Sequence, residues 1–177
     1  MSIVKSLSVG NGDMFYIRHG ADSFTTIDCC MTDENKKEIM DEIIKQSKDK
    51  NICRFISTHP DDDHFLNIEY YNERKKIENF YCVQNEASKD IETDSFKKYK
   101  EIRDGDKAYY VYKGCARRWL NESDDERKGA GLNFLWPDVN NQDYKKELEK
   151  VKNGESPNKI SLILQYNCGA NFCGWEI

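Results

Sequence analysis

Short apolar runs, punctuated by glycines and charged clusters, organise the chain. Residues 3–8 and 13–18 read as two strands around a glycine turn at Gly10-Asn11-Gly12, and residues 23–28 as a third. Connections this short predict an antiparallel meander. Ile39, Met40, Ile43 and Ile44 fall on one face at helical spacing, with Thr32 or Asp33 as N-cap and the lysines from Lys45 to Lys50 at the end the dipole favours. A strand over residues 52–57 follows. Phe65, Leu66, Ile68, Tyr70 and Tyr71 predict a short helix with its apolar side inward. Further strands are expected at 79–83, 108–112, 132–136 and 159–166, and a helix near 94–102. A polar helix or loop fills 140–153, and the almost wholly polar stretch 121–128 reads as a mobile surface loop. Strands in two series with few helices predict an α+β chain built as a sandwich of two sheets.

The chemistry gathers where the strand over 52–57 stops. The next residues are His59-Pro60-Asp61-Asp62-Asp63-His64, so two of the chain's three histidines and three carboxylates lie within six positions. Pro60 cannot continue a helix and biases His59 toward extended backbone, which places these side chains on a stiff loop at a strand end. Imidazoles and carboxylates converging from such a loop are what a divalent metal requires. The plainer reading is a solvated acidic turn. His19, in Arg18-His19-Gly20, reads as an exposed turn residue without a functional role.

Composition narrows the class. With 177 residues the chain is long enough for one real core and short for two domains. No apolar run approaches the ~20 residues of a membrane span, and the N-terminus has no signal-peptide stretch, so a cytoplasmic location with no membrane partner is expected. Seven cysteines, odd in number and without a Cys-x-x-Cys pair, argue against a disulfide framework. Cys53 and Cys82, in apolar runs, are expected as small core residues. The net charge is −5, and the basic residues, Arg117-Arg118 among them, are scattered pairs that read as solvated faces, which weighs against sequence-independent nucleic-acid binding.

The segment 59–64 resembles the His-x-His-x-Asp-His signature of the metallo-β-lactamase superfamily, with Asp61 where the second histidine usually stands. Its His-Pro-Asp-x-Asp-His form is similar to the branch that includes the hydrolase domain of the DNA-uptake protein ComEC. Gly10-Asn11-Gly12-Asp13, the strand ending at Asp28, the run Leu132 to Pro137 and the run Asn158 to Leu164 resemble further elements of that branch in the right order. The resemblance implies an αββα two-sheet sandwich with metals where the sheets meet. It also implies that residues 1–177 form one domain that is C-terminally incomplete, the amino-terminal portion of such a fold.

By the same resemblance, His59 and Asp61 would ligate a first metal, Asp63 and His64 a second, and Asp63 would also orient the attacking water. Zinc is the first choice, one or two ions. Asp61 in place of a histidine makes the site harder, which moves it toward Mn²⁺ or Mg²⁺. Asp28 would support from behind. The later ligands of the superfamily are missing. Asp138 and Glu176 are the available substitutes: Asp138 also reads as a turn residue, and Glu176 is one position out of register. The resemblance implies a metallo-hydrolase in which a metal lowers the pKa of water toward ~7 for attack on a phosphodiester or related ester, a nuclease-like or other esterase with a small-molecule or nucleotide-type substrate. The other reading is a degenerate member that binds or regulates without catalysis, completed by a second copy or a partner chain.

Overall fold

In a computed structural model, which describes residues 1–167, the elements in chain order are β1 (Ile3–Ser6), β2 (Phe15–Arg18), β3 (Ser23–Ile27), β4 (Cys29–Cys30), α1 (Lys36–Ser47), β5 (Ile52–Ile56), β6 (Phe65–Leu66), α2 (Ile68–Arg74), β7 (Phe80–Cys82), α3 (Asp94–Arg103), β8 (Ala108–Tyr110), β9 (Leu132–Trp136), α4 (Gln142–Lys152) and β10 (Ile163–Tyr166). β1, β2 and β3 form the expected antiparallel meander. Beyond β3 the sheet continues in parallel through β5, β7 and β8, giving six strands in the order β1-β2-β3-β5-β7-β8. Parallel neighbours need a crossover, and α1, α2 and α3 lie in those crossovers.

Alternation along β5 divides the packing. Phe55 points to the helical face, stacking on Phe80 at 5.7 Å between ring centroids and meeting the edge of Tyr71 at 5.2 Å. Tyr99 and Phe96 of α3 continue this aromatic layer onto Phe65, Tyr99 at 4.9 Å. Each such ring contributes about 1.5–3 kcal/mol of burial. Arg54 points to the opposite face, where its Nη2 donates to the Trp119 carbonyl at 2.7 Å.

The caps explain the helix boundaries. Thr93 Oγ1 accepts from Phe96 N, and Asn141 Oδ1 from Asp143 N and Tyr144 N, so α3 and α4 start where an oxygen can satisfy their free amides. α1 begins later than expected, with Asn35 and not Thr32 or Asp33 at the N-cap, because the Asn35 side chain instead accepts from Thr32 N and closes a turn ahead of the helix.

Among the described residues the strands make the six-stranded sheet and two two-stranded ones, β9–β10 and β4–β6. Two expectations change. The stretch 121–128 is pinned by Asp124, whose carboxylate accepts from Trp119 Nε1 at 2.6 Å and from Arg127 N at 2.8 Å. These bonds, the Arg127 backbone first, hold the Asp124 carboxyl down to about 2. His19 is buried rather than exposed: its ring meets Thr25 Oγ1 at 2.9 Å and packs edge-on against Tyr166. The turn after β2 is short, so the side chain folds under β9–β10 instead of reaching water. Of the cysteines expected in the core, Cys82 is fully buried and Cys53 half-buried, and the five described cysteines are free thiols. No described helix is long and apolar enough to cross a membrane.

Candidate metal centre

Because β3 and β5 run parallel with Ile27 opposite Ile56, their carboxyl ends lie side by side. Asp28 follows β3 with φ +55, a left-handed conformation that aspartate tolerates better than most residues, and its N–H still donates to the Ile56 carbonyl at 2.8 Å. The kink sends β4 out of the sheet to pair in parallel with β6, Cys29 opposite Phe65 and Cys30 opposite Leu66. The loop 57–64 is therefore held at its start by β5 and at its exit by β6. Within it Asp61 Oδ1 accepts from Asp62 N and caps a single 3-10 turn over Asp62–His64, which swings the His64 ring back toward Asp28.

Asp28 organises what that turn delivers. Its Oδ1 accepts from Thr58 N at 2.8 Å, and its Oδ2 from the Thr58 hydroxyl at 2.6 Å and from His64 Nδ1 at 2.8 Å. A carboxylate only accepts, so His64 carries a proton on Nδ1, and in its neutral form the ring's lone pair is on Nε2. With its own proton given to Asp28, Thr58 Oγ1 can accept from His59 Nδ1 at 3.1 Å, which leaves Nε2 of His59 as a lone-pair donor as well. The two rings lie 3.9 Å apart between centroids, and both are buried. Burial, then the neighbouring His64, lowers the pKa of His59. Burial also acts to lower that of His64, but the hydrogen bond and charge of Asp28, with Asp63 and Asp13, outweigh it and leave it raised.

The carboxylates are arranged less tightly. Asp63 Oδ2 stands 3.7 Å from His64 Nε2, half-exposed at the mouth of the pair. Asp61 and Asp62 turn toward Lys89, whose Nζ lies 3.6 Å from Asp61 Oδ1 and 2.7 Å from Asp62 Oδ2. Asp138 accepts from Asn140 N at 2.9 Å in the turn before α4, which is the turn role its Pro-Asp context also predicted. Glu176 lies outside the described residues. Cys30 and Asp13 belong to the neighbourhood although sequence reasoning did not place the cysteine there: burial first, then the charges of Asp63 and Asp13, raises the Cys30 thiol. Its position two residues after Asp28 was the available signal.

Two imidazole Nε2 atoms with a carboxylate beside them suit a divalent cation in kind. In number they fall short, since no group of three His, Cys, Asp or Glu side chains among the described residues is set to hold a metal ion. A cavity of about 380 Å³ adjoins the loop, lined by Pro60, Asp61, Ser88, Lys89, Glu155 and Pro157. A larger one of about 650 Å³ lies between α3 and α4, away from the histidines.

Gly12, from the Gly-x-Gly-Asp element, packs against this loop. A Cβ there would lie 2.6 Å from the Asp63 carbonyl oxygen and closer still to Cys30 Sγ. Gly12→Ala is expected to cost about 1–3 kcal/mol in urea unfolding, because the Asp63 backbone and the buried Cys30 side chain must both give way. An unchanged urea midpoint would show that the loop is free to move aside.

No family model matches the chain, and no curated protein matches it. Among solved structures it is similar to the metallo-beta-lactamase IND-7, at 12% identity and a TM-score of 0.45, over 93% of this chain and 61% of that one. The chain thus spans about 61% of the length of that structure, a likeness too shallow to bear on ligand or activity.

Proposed function

We propose that the loop 59–64 is the metal-binding centre of a metal-dependent hydrolase of the metallo-β-lactamase type, acting on a phosphodiester or related ester. The observation that supports this reading is the Asp28–Thr58 clamp, which takes up the Nδ1 sides of His59 and His64 and leaves the Nε2 of each ring to act as a ligand atom. An outer carboxylate that fixes tautomer and ring is the usual support of a metal-ligating histidine. In this reading His59 and His64 hold the ion with Asp63, Asp61 joins once released from Lys89, and Asp63 positions the water. A bound divalent ion, zinc by preference, supplies Lewis acidity and water of lowered pKa. Lys89, already beside the acidic loop, is placed to meet an anionic substrate in the adjoining cavity.

The competing reading, a scaffold that binds without catalysis, is favoured by the convergence, among the described residues, of only a histidine pair with one carboxylate at its mouth. Elemental analysis of the purified protein separates the two. Zinc or manganese at about one equivalent or more, lost in His59→Ala/His64→Ala, is expected for the hydrolase. Metal no higher in the wild type than in the double variant would end that reading in favour of the scaffold.

A further inference from the structure

At the other end of β5 the sheet carries a second polar site. Arg54 lies five residues before His59, roughly 16 Å away by strand rise. It is 3% exposed. Nη2 is satisfied by the Trp119 carbonyl, while Nε and Nη1, both buried, make no hydrogen bond of normal geometry among the described residues, with the Tyr81 side chain the polar group beside them. No carboxylate there lies within ion-pair distance of it. Burial pushes its pKa down, with Tyr81 working against that effect. A buried charge of this kind costs several kcal/mol unless something pairs with it.

The space beside it is a cavity of about 360 Å³ lined by Arg54, Tyr81, Tyr109, Arg117, Arg118 and Arg127. The sequence showed these arginines as scattered; the fold brings them together. Arg118 is matched by Asp124 at 3.0 Å and Arg127 by Glu126 at 3.5 Å, but among the described residues the Arg117 guanidinium rests only on the Tyr109 ring, 4.0 Å from its centroid. Two guanidiniums without an anion among the described residues, one of them buried, therefore line a cavity of small-ligand size. Guanidinium groups pair with phosphate through paired N–H donors, and Arg54 has such donors unspent.

We propose that this cavity is an oxyanion site that takes the phosphate group of a small phosphorylated ligand. The site is separate from the histidine loop and does not depend on a metal there. Calorimetric titration with inorganic pyrophosphate and with adenosine monophosphate, both in EDTA, tests it independently of the hydrolase reading. Saturable binding with Kd at or below about 1 mM is expected, weakening as salt is raised. Tighter binding of the nucleotide than of pyrophosphate would identify a nucleotide as the source of the phosphate. Arg54→Met is expected to abolish binding. Arg117→Ala/Arg127→Ala, which removes only partly or fully exposed side chains, is expected to weaken it about ten-fold or more without lowering the melting temperature, and carries the test if Arg54→Met does not fold. No binding of either probe, or binding indifferent to the substitutions, would overturn the proposal.

Discussion

Replacing Asp28 with alanine is expected to destabilise the protein by about 3–5 kcal/mol, a drop in melting temperature of roughly 10 °C for a chain of this size. Three hydrogen bonds end on that carboxylate, from Thr58 N, the Thr58 hydroxyl and His64 Nδ1. Their donors are buried and have no water to turn to, so the loss is the desolvation penalty of groups left unpaired. Alanine also fits the left-handed backbone at φ +55 poorly, adding about 1 kcal/mol. Asp28→Asn separates these effects. Asparagine tolerates the same backbone and keeps one acceptor, but its amide faces His64 or Thr58 with a donor against a donor. A loss between wild type and alanine is expected, and under the proposed metal-centre reading bound metal falls in both variants because the His64 ring is no longer fixed. Urea unfolding measures the stabilities, and a loss below about 1 kcal/mol for alanine would show that Asp28 does not hold the loop.

Much of this arrangement was legible in residue order. The apolar run over 52–57 ending at His59-Pro60 marked a strand feeding a loop, and β5 with its loop is what formed. The meander of β1, β2 and β3 followed from glycine turns, and α1 from its apolar spacing. What sequence could not carry was pairing across distance. β4 and β6 are two residues each, too short for any periodicity, yet their pairing is what returns His64 to Asp28. His19 looked like a turn residue because its immediate neighbours are polar, while the groups that bury it, Tyr166 and the Arg54 face, lie far along the chain. The same blindness hid the arginine cavity: Arg54 and Arg117 are 63 positions apart and come to one cavity only in the fold, where the Trp119 carbonyl accepts from Arg54. At Asp61 the resemblance and the fold speak of different things: the resemblance gives it to a metal, and the folded loop shows its oxygen accepting from Asp62 N and its charge near Lys89.

The second large effect expected is a loss of stability in mild acid that depends on His19. Burial, and then the charge of Arg54, lowers its pKa from 6.5 to about 3. The folded-state value is below the unfolded one, so between those limits the unfolded chain binds a proton that the native chain refuses. Stability therefore falls as pH drops below 6.5, by about 1.4 kcal/mol per unit, or about 3 kcal/mol between neutrality and pH 4. His59, also lowered, acts in the same direction. His64 acts against them: its raised value stabilises the fold at low pH, and that contribution is lost as pH rises through the folded-state pKa. His64 offsets only as much as its own shift allows, while His19 is shielded by Thr25, Tyr166 and a buried guanidinium and has no carboxylate within ion-pair distance among the described residues. His19→Gln keeps a hydrogen-bonding group toward Thr25 and removes the titration. Unfolding free energies measured from neutrality to about pH 4 should fall steeply for the wild type and distinctly less for the variant. Parallel curves for the two proteins would place the acid sensitivity elsewhere, because a neutral histidine held beside Arg54 must contribute its full proton linkage to unfolding.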